Sequence, residues 1–446
     1  MTLSHPSLAA LRHRNFRLIW VGLLLSFTGT FMQNAALLWH VSLLVPDQKG
    51  LALGMVGLVK VLPIVAFSMI SGVVADAWNR RRLMLMTQTG LALVSLSMAW
   101  LSWRGLTTVW PLYALAALGS AVGAFDLPAR QSLVPTLVPR RDLPNAISLN
   151  AIMIQAASVL GPALGGLLIA SRGVTLVYFA NALSFVFVIV ALLMMRGVQE
   201  RAEHAGAGDD VSWNAALEGL RFVFRSPLIR STMLLDFFAT FFSSATALLP
   251  IFAQDILQVG PTGYGWLFAA PAVGAVGMSV ALVGLTDRIK RRGAVLLWAV
   301  AIYGAATVAF GFSRSFWVTF VCLAMTGAAD TVSMVIRNIV RQMETPDRLR
   351  GRMMGVNMVF FVGGPQLGEA EAGATAHWFG APFSVISGGI GCLIATFWVA
   401  RSTPQLRRYH APDHSPDHAP GHAPIADTSR AVGEAGAQHT GETPAS

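Results

Sequence analysis

Long apolar runs separated by short polar breaks occupy almost the whole chain. Twelve runs fall at about 16–42, 51–75, 83–103, 108–127, 145–170, 174–195, 230–253, 262–285, 294–312, 316–338, 353–376 and 382–400. Each holds roughly 20 residues, the length that crosses a ~30 Å hydrocarbon core at 1.5 Å per residue. Apolar and polar positions do not alternate with a period of two, so the pattern is not that of a membrane β-barrel. It predicts an all-α membrane protein, because inside lipid a helix satisfies its own backbone hydrogen bonds. One break is long. From Arg196 to Arg230 the chain is polar, with Gly206, Gly208, Asp209 and Asp210, and then an amphipathic segment is predicted over 213–224. After about Thr403 the chain turns to Pro, His, Gly and Ala with almost no large apolar residue, which predicts disorder.

Composition agrees with the pattern. Of 446 residues 54% are hydrophobic and 12% charged, against roughly 25% charged in soluble domains. Mean hydropathy is +0.59. Cys322 and Cys392 both lie inside apolar runs and read as small core residues. The N-terminus is basic (Arg12, Arg14, Arg17), but no small-residue cleavage site follows, so the first run is expected to remain as a membrane helix.

The net charge of +10 would suggest nucleic acid in a soluble protein. Here its distribution reads as membrane topology, since cytoplasmic loops carry the excess of Lys and Arg. With a cytoplasmic N-terminus and twelve crossings, the basic clusters at 12–17, 80–82, 130–141, 196–230, 288–292, 337–352 and 401–430 all fall on the cytoplasmic side. Only Lys49, Arg104, Arg172 and Arg314 fall opposite, and Lys60 sits within a helix. The expected organisation is a cytoplasmic N-terminus (1–15), a six-helix bundle (16–195), a cytoplasmic linker (196–229), a second six-helix bundle (230–402) and a cytoplasmic tail (403–446), in a bacterial inner membrane.

The halves repeat. Gly72-Val-Val-Ala-Asp76 with Arg80, Arg81 and Arg82 follows the second run. Asp287-Arg288-Ile-Lys-Arg-Arg follows the eighth. Arg130 precedes Pro139 as Arg337 precedes Pro346, and Gly161-Pro162-Ala-Leu-Gly165 matches Gly364-Pro365-Gln-Leu-Gly368. Three patterns at nearly one offset mean two copies of one unit, the construction of many secondary transporters.

These motifs resemble the major facilitator superfamily, over nearly all of residues 10–402. Gly72-x-x-x-Asp76 and the arginines after it resemble its signature loop, although Asn79 stands where glycine is usual and Val283 stands four residues before Asp287. The resemblance implies that such carboxylates latch one face of the carrier. Gly161-Pro162-x-x-Gly165-Gly166 resembles the motif of proton-driven antiporters, which implies export. Phe125-Asp126-Leu-Pro-Ala-Arg130-Gln131, Thr345-Pro346-Asp-Arg-Leu-Arg350-Gly-Arg352 and Gln366-Leu-Gly-Glu369-Ala-Glu371-Ala-Gly373 resemble the branch that holds the enterobactin exporter and the macrolide efflux proteins.

Ionisable groups inside membrane helices are costly and tend to be functional. Glu369 and Glu371 are candidates for proton coupling. They lie about 200° apart on a helix, so at most one is expected to face a central cavity, and structural bonding to a neighbouring helix is the rival role. Asp236 is a second proton or cation candidate, or a carboxylate near Arg230. Asp126 with Arg130, and Asp330 with Arg337, share helix faces and read as gate groups, with structural pairing as the alternative. Lys60, mid-helix, could bind an anion, snorkel, or pair with a buried acid. Gln33, Asn34 and His40 on the first helix could hydrogen-bond a substrate or a neighbouring helix. Phe237, Phe238, Phe241 and Phe242 could stack on an aromatic or planar ligand, but read mainly as lipid-facing.

The tail carries His410, His414, His418 and His422 at a spacing of four, a weak candidate for Ni²⁺, Zn²⁺ or Cu²⁺, with a plain low-complexity tail as the other reading. No phosphate-binding Gly-Lys-Ser/Thr loop or hydrolase motif is present, so neither an enzyme nor an ATP-driven pump is expected, and no cofactor is implied. The expected partners are a small-molecule substrate, protons and the lipid bilayer, with the chain as a monomer and no nucleic acid. The expected function is proton-coupled efflux of a small amphipathic organic molecule, a siderophore or drug. The alternatives are export of a divalent metal such as nickel or cobalt and, in a different class, a membrane receptor or lipid-moving scaffold.

Overall fold

The computed structural model describes residues 6–196, 213–242, 244–285, 289–346 and 349–409. The described residues are helical throughout, with no strand. The first six long helices are α1 (Arg14–Leu44), α2 (Lys49–Ala77), α3 (Arg80–Trp103), α4 (Trp110–Leu133), α5 (Leu143–Arg172) and α6 (Val174–Met194). The amphipathic segment forms α7 (Trp213–Arg225). Then come α8 (Pro227–Phe242), a single turn α9 (Leu249–Ile251), α10 (Gly260–Leu285), α11 (Arg292–Phe312), α12 (Phe316–Glu344), α13 (Arg350–Phe379), α14 (Ala381–Ser402) and the short α15 (Pro404–Arg407). Eleven spans among the described residues are long and apolar enough to cross a membrane. The twelfth long helix, α13, falls short in apolarity because it carries Gln366, Glu369, Glu371 and His377. The expectation of an all-α membrane protein therefore holds.

The seventh apolar run is not one helix. After α8 the chain passes through a 3₁₀ turn (Ala245–Leu248), α9 and a π turn (Phe252–Ile256). Thr240 and Ser244 donate to the carbonyls of Asp236 and Thr240, which diverts backbone acceptors. Pro250 brings no N–H to the turn. The π turn sets the side chains of Gln254 and Asp255 against α1 and α2.

Equivalent helices pack alike. Within the first six, α1 packs on α5 and α6, α2 on α4, and α3 on α4 and α6. Within the later helices, α8 packs on α13 and α14, α10 on α12, and α11 on α12 and α14. Between the two sets the large contacts are α2 with α13 and α5 with α10. Exchanging the sets turns one of these contacts into the other, the signature of a pseudo-two-fold relation. The connections α5–α6 and α13–α14 are also alike. Each turns on one glycine with a left-handed backbone, Gly173 at φ +78 and Gly380 at φ +88.

The contacts between the sets gather at the end opposite the N-terminus. Gly54 meets Gly373 there, and Gly166 meets Gly265, backbone against backbone. Tyr264 donates to the Ala35 carbonyl at 2.8 Å, Gln254 to Ser42 at 2.7 Å, and Lys49 to Asp255 at 2.7 and 2.8 Å. One apolar core joins both sets at this end, including Met32, Tyr178, Phe252, Tyr264 and Phe310. Toward the N-terminal end each set has its own core, around Phe16 and Met84 in the first, and around Leu235, Leu296 and Ile336 in the second. The molecule is thus sealed between its halves at one end.

Lys49–Asp255 is a rim contact of this seal, with the Asp255 side chain 48% exposed. Asp255→Ala is expected to cost less than about 1 kcal/mol of stability, and the loss should vanish at high salt. Thermal unfolding in detergent at two ionic strengths measures it. A large, salt-independent loss would mean that the pair holds the seal alone.

Candidate functional site

Just inside the seal, α1, α2 and α13 bring a group of polar side chains together. Lys60 lies mid-way along α2, three residues before Pro63. Its ammonium donates to the Asn34 side-chain oxygen on α1 at 3.2 Å. Glu369, from α13, is the opposite charge acting on Lys60. Its carboxylate lies over Gly57, one helical turn from Lys60, where an added Cβ would come within 2.9 Å of Oε2. Gln366, one turn before Glu369, has a buried side-chain oxygen with no partner. Lys60, Asn34, Gln366 and Glu369 are all half-buried, at the boundary where the two sets of helices meet.

Glu371 points elsewhere and accepts from Thr375, four residues on, at 2.8 Å. Gln33 turns away from Asn34. Its oxygen accepts from Asn181 on α6 at 2.9 Å, and Asn181 also donates to Ser95 on α3 at 3.2 Å. His40 bonds the Tyr178 hydroxyl at 3.2 Å and is buried. These contacts tie α1 to α6. The four phenylalanines of α8 stack on one another, with Phe237 and Phe241 at 5.5 Å, and Phe237 also meets Phe360.

A second group lies in the later helices. Asp236 on α8 is 3% exposed, and Arg337 and Arg341 on α12 are 3% and 4% exposed. Arg337 lies 2.7 Å from one oxygen of Asp236, and Arg341 lies 3.4 Å from the other. Arg341 also donates to the Thr232 carbonyl at 3.1 Å and to Asn357 on α13. Arg337 reaches Asp330 at 3.3 Å. The Asp330 side chain, 47% exposed, lines a cavity of about 130 Å³ with Tyr303, Thr246, Thr307 and Thr326. Two carboxylates and two guanidiniums thus balance, and through them α8, α12 and α13 are joined.

The equivalent group in the first set is smaller. Asp126 on α4 accepts from Thr87 and Gln88 on α3, both at 2.8 Å, and pairs with Arg130 at 3.7 Å. The Arg130 guanidinium also covers the Phe27 ring at 4.3 Å. Arg81 donates to the carbonyls of Leu192 and Leu193, closing the end of α6. Arg80 donates to the Ser132 carbonyl. Asn79 caps α3 by accepting the Arg82 N–H at 3.0 Å, which gives this residue a physical role in place of glycine. Gly72 and Asp76 stand on the last turns of α2, and the Asp76 side chain lies outside what is described. Asp287, Arg288 and the four tail histidines lie outside the described residues.

The glycines of the antiporter-like motif are packing surfaces. Gly161 and Gly165 meet α1 at Thr28, Phe31 and Met32, and Gly166 meets Gly265 of α10. The Pro162 carbonyl lies over Gly265. The matching helix α13 sets Gly364 and Gly368 against α8 and its end, and Gly373 against α2. Reasoning from sequence missed Arg341, Asn357, Thr232 and the contact between Asp236 and Arg337. The usable signal was Arg337 and Arg341 at four residues apart on a helix otherwise apolar in that stretch. Among the described residues no three His, Cys, Asp or Glu side chains gather as a metal-ligand set.

Known proteins match both the sequence and the fold. The family described as transmembrane secretion effector matches residues 5–430. The enterobactin exporter EntS of Shigella boydii serotype 18 is 27% identical over 349 residues, covering 76% of this chain and 80% of that protein. EntS of Escherichia coli O1:K1 matches to the same extent. A solved bacterial homologue of the human lysosomal transporter Spinster, inward-facing and unoccupied, superposes with a TM-score of 0.69 at 15% identity, covering 89% of this chain and 99% of that one. An inward-facing bacterial homologue of the iron transporter ferroportin gives 0.63 at 18% identity, covering 87% and 98%. The chain belongs to the transmembrane secretion effector family and is a multi-pass transporter of the major facilitator superfamily.

Proposed function

We propose that this transporter exports a small amphipathic organic molecule, of siderophore or drug type, out of the bacterial cytoplasm in exchange for protons. The observation that carries the reading is the polar group Lys60, Asn34, Gln366 and Glu369, set just inside a seal between the two halves. Such a seal is one of the two states that alternating access needs. The basic clusters support a cytoplasmic position for both termini, and in this reading the sealed end faces the periplasm and the cleft opens inward. The relatives named enterobactin exporters support an organic cargo and the outward direction. Residues 16–195 and 230–402 are the two rocking bundles, joined by 196–229, and the chain works as a monomer in the inner membrane.

In this cycle the site that holds Glu369 and Lys60 exchanges a proton for the cargo. Asp76 with Arg80–Arg82, Asp126 with Arg130, Asp287 with Arg288, and Asp330 with Arg337 close the cytoplasmic face in the opposite state. Inside-out vesicles containing the protein test the reading. They are energised, their internal acidification is followed with a fluorescent dye, and siderophores, macrolides, cationic dyes, Ni²⁺ and Co²⁺ are added in turn. An organic compound is expected to discharge the gradient, and Glu369→Gln is expected to abolish the discharge. Discharge by Ni²⁺ or Co²⁺ alone would replace the organic cargo with a metal. No discharge by any compound from folded, inserted protein would remove proton exchange.

A further inference from the structure

The polar group beneath the seal is not satisfied from within the protein. Among the described residues the Gln366 side-chain oxygen is buried without a partner, and the Lys60 ammonium donates to Asn34. Buried polar groups in folded proteins are nearly always bonded, and exceptions ask for an explanation. Elsewhere in this protein comparable carboxylates are fully engaged. Asp236 holds two guanidiniums, and Asp126 holds Thr87, Gln88 and Arg130. The group under the seal also sits where the two halves must part, on α2 and α13, so it changes surroundings in every cycle.

The charges that act on this group are few. Glu369 from α13 acts on Lys60, and Lys60 acts on Glu369. From α1 comes the neutral amide of Asn34, while His40 is bonded to Tyr178. From α4 the nearest acid, Asp126, is held by Thr87, Gln88 and Arg130. On α13 itself Glu371 is held by Thr375. The site therefore carries one positive and one negative group, and it is neutral.

We propose that Lys60 is the resident cation of this site, and that the cargo is a cationic amphipathic molecule that takes its place beside Glu369 and expels its proton. The argument is charge balance, and it rests on the proton-exchange reading above. Adding a cation beside Lys60 and Glu369 would leave an uncompensated positive charge at membrane depth, which is costly. Neutrality returns when one N–H bond of the ammonium breaks. The proton passes to water in the cleft, and the electron pair stays on the Lys60 nitrogen as a neutral amine. One cation enters and one proton leaves, the exchange that efflux requires. An anionic cargo would instead require Glu369 to take up a proton, so that cargo and proton would travel in the same direction. Asn34 has a place in the scheme, because its oxygen holds the displaced lysine whether or not that lysine is charged.

Tetraphenylphosphonium and tetraphenylborate test the idea, since they share size and shape, carry opposite charges, and neither can take up or lose a proton. Binding is measured on the purified full-length chain in detergent, with proton release followed by a pH indicator. The phosphonium is expected to bind with release of about one proton and to tighten about tenfold per unit rise in pH. The borate is expected to release none. Lys60→Met should bind the phosphonium with no proton release and no pH dependence. Lys60→Arg, whose guanidinium keeps its proton, should bind at least about tenfold more weakly at every pH. Glu369→Gln should lose binding, and monodisperse elution with unchanged helical dichroism excludes misfolding in each variant. If Lys60→Met still releases the proton, another group is the exchanger, and the resident-cation idea falls while proton exchange survives. If the wild type binds the phosphonium and releases nothing, proton exchange itself falls. Tighter binding of the borate would reverse the charge of the cargo.

Discussion

Replacing Asp236 with leucine is expected to destabilise the protein by about 3–5 kcal/mol, the largest loss from any single polar side chain described here. The carboxylate is 3% exposed, and each of its oxygens faces a different guanidinium, Arg337 and Arg341, which are themselves buried. Leucine would fill much of the same volume but would leave two buried positive charges with one half-exposed partner, Asp330. The cost comes from those stranded charges more than from the lost attraction, since an intact buried pair only about breaks even against its own desolvation. Asp236→Asn keeps an acceptor and should cost less. Asp330→Asn is the contrasting change. That side chain is 47% exposed and meets Arg337 at its edge, so its loss should cost about 1 kcal/mol or less. Denaturation midpoints in mixed detergent with sodium dodecyl sulfate, read by tryptophan fluorescence, compare the three. Equal losses for Asp236→Leu and Asp330→Asn would mean that the buried group is not what holds α8 to α12.

Most of the helical frame was legible in the sequence, and the reasons are physical. A membrane span is an apolar run of fixed minimum length, so its limits appear directly in composition. The limits expected from the runs differ from the helix ends mainly at polar termini, as with α1, which begins at Arg14 rather than about residue 16. The exception was the seventh run. Hydropathy does not distinguish α8 and its 3₁₀ and π turns from one helix, because Ser, Thr and Pro interrupt hydrogen bonding without lowering apolarity much. The repeats carried information about packing. The paired Gly-Pro-x-x-Gly motifs fall on α5 and α13, two of the helices that reach across to the other half.

The site was legible only in part, because a sequence gives neighbours along one helix and not between helices. Asp126 with Arg130, and Asp330 with Arg337, lie at spacings that share a face, and both pairs are in contact. The angle of about 200° between Glu369 and Glu371 separates them, and in the structure one faces α2 and the other Thr375. Facing between helices was out of reach. Nothing in the spacing of Asp236 on α8 announces Arg337 and Arg341 on α12, and nothing near Gln33 announces Asn181 on α6. Lys60 was conspicuous from its position alone, but its neighbours Asn34 and Glu369 come from helices at opposite ends of the chain.

Replacing Gly373 with valine is expected to open the seal and abolish transport. A Cβ at this position would collide with the Gly54 Cα, and would lie 2.5 Å from the Gly50 carbonyl and 2.6 Å from the Gly54 nitrogen. All three are backbone atoms, so no rotamer can relieve the clash, and α2 and α13 must separate. Overpacking of this kind costs about 1–3 kcal/mol or more. Here the penalty falls only on the state in which the two helices touch. A penalty of about 3 kcal/mol on one of two states shifts their ratio by roughly a hundredfold, enough to trap a carrier that must visit both. Glycine-on-glycine contact suits a seal made and broken each cycle, because it brings backbones close while interlocking few side chains. Cysteines replacing Lys49 and Asp255, whose charged groups lie 2.7 Å apart across the seal, report its closure through a short bismaleimide cross-linker. Cross-linking should be efficient in the parent and lost with Gly373→Val, together with efflux of whichever cargo the vesicle assay identifies. Gly363→Ala on the same helix is the control, since a Cβ there meets nothing within 4 Å, and it should change neither. Full cross-linking with Gly373→Val would show that the backbone contact is dispensable, and would place the seal in the apolar core around Tyr264 and Phe252 instead.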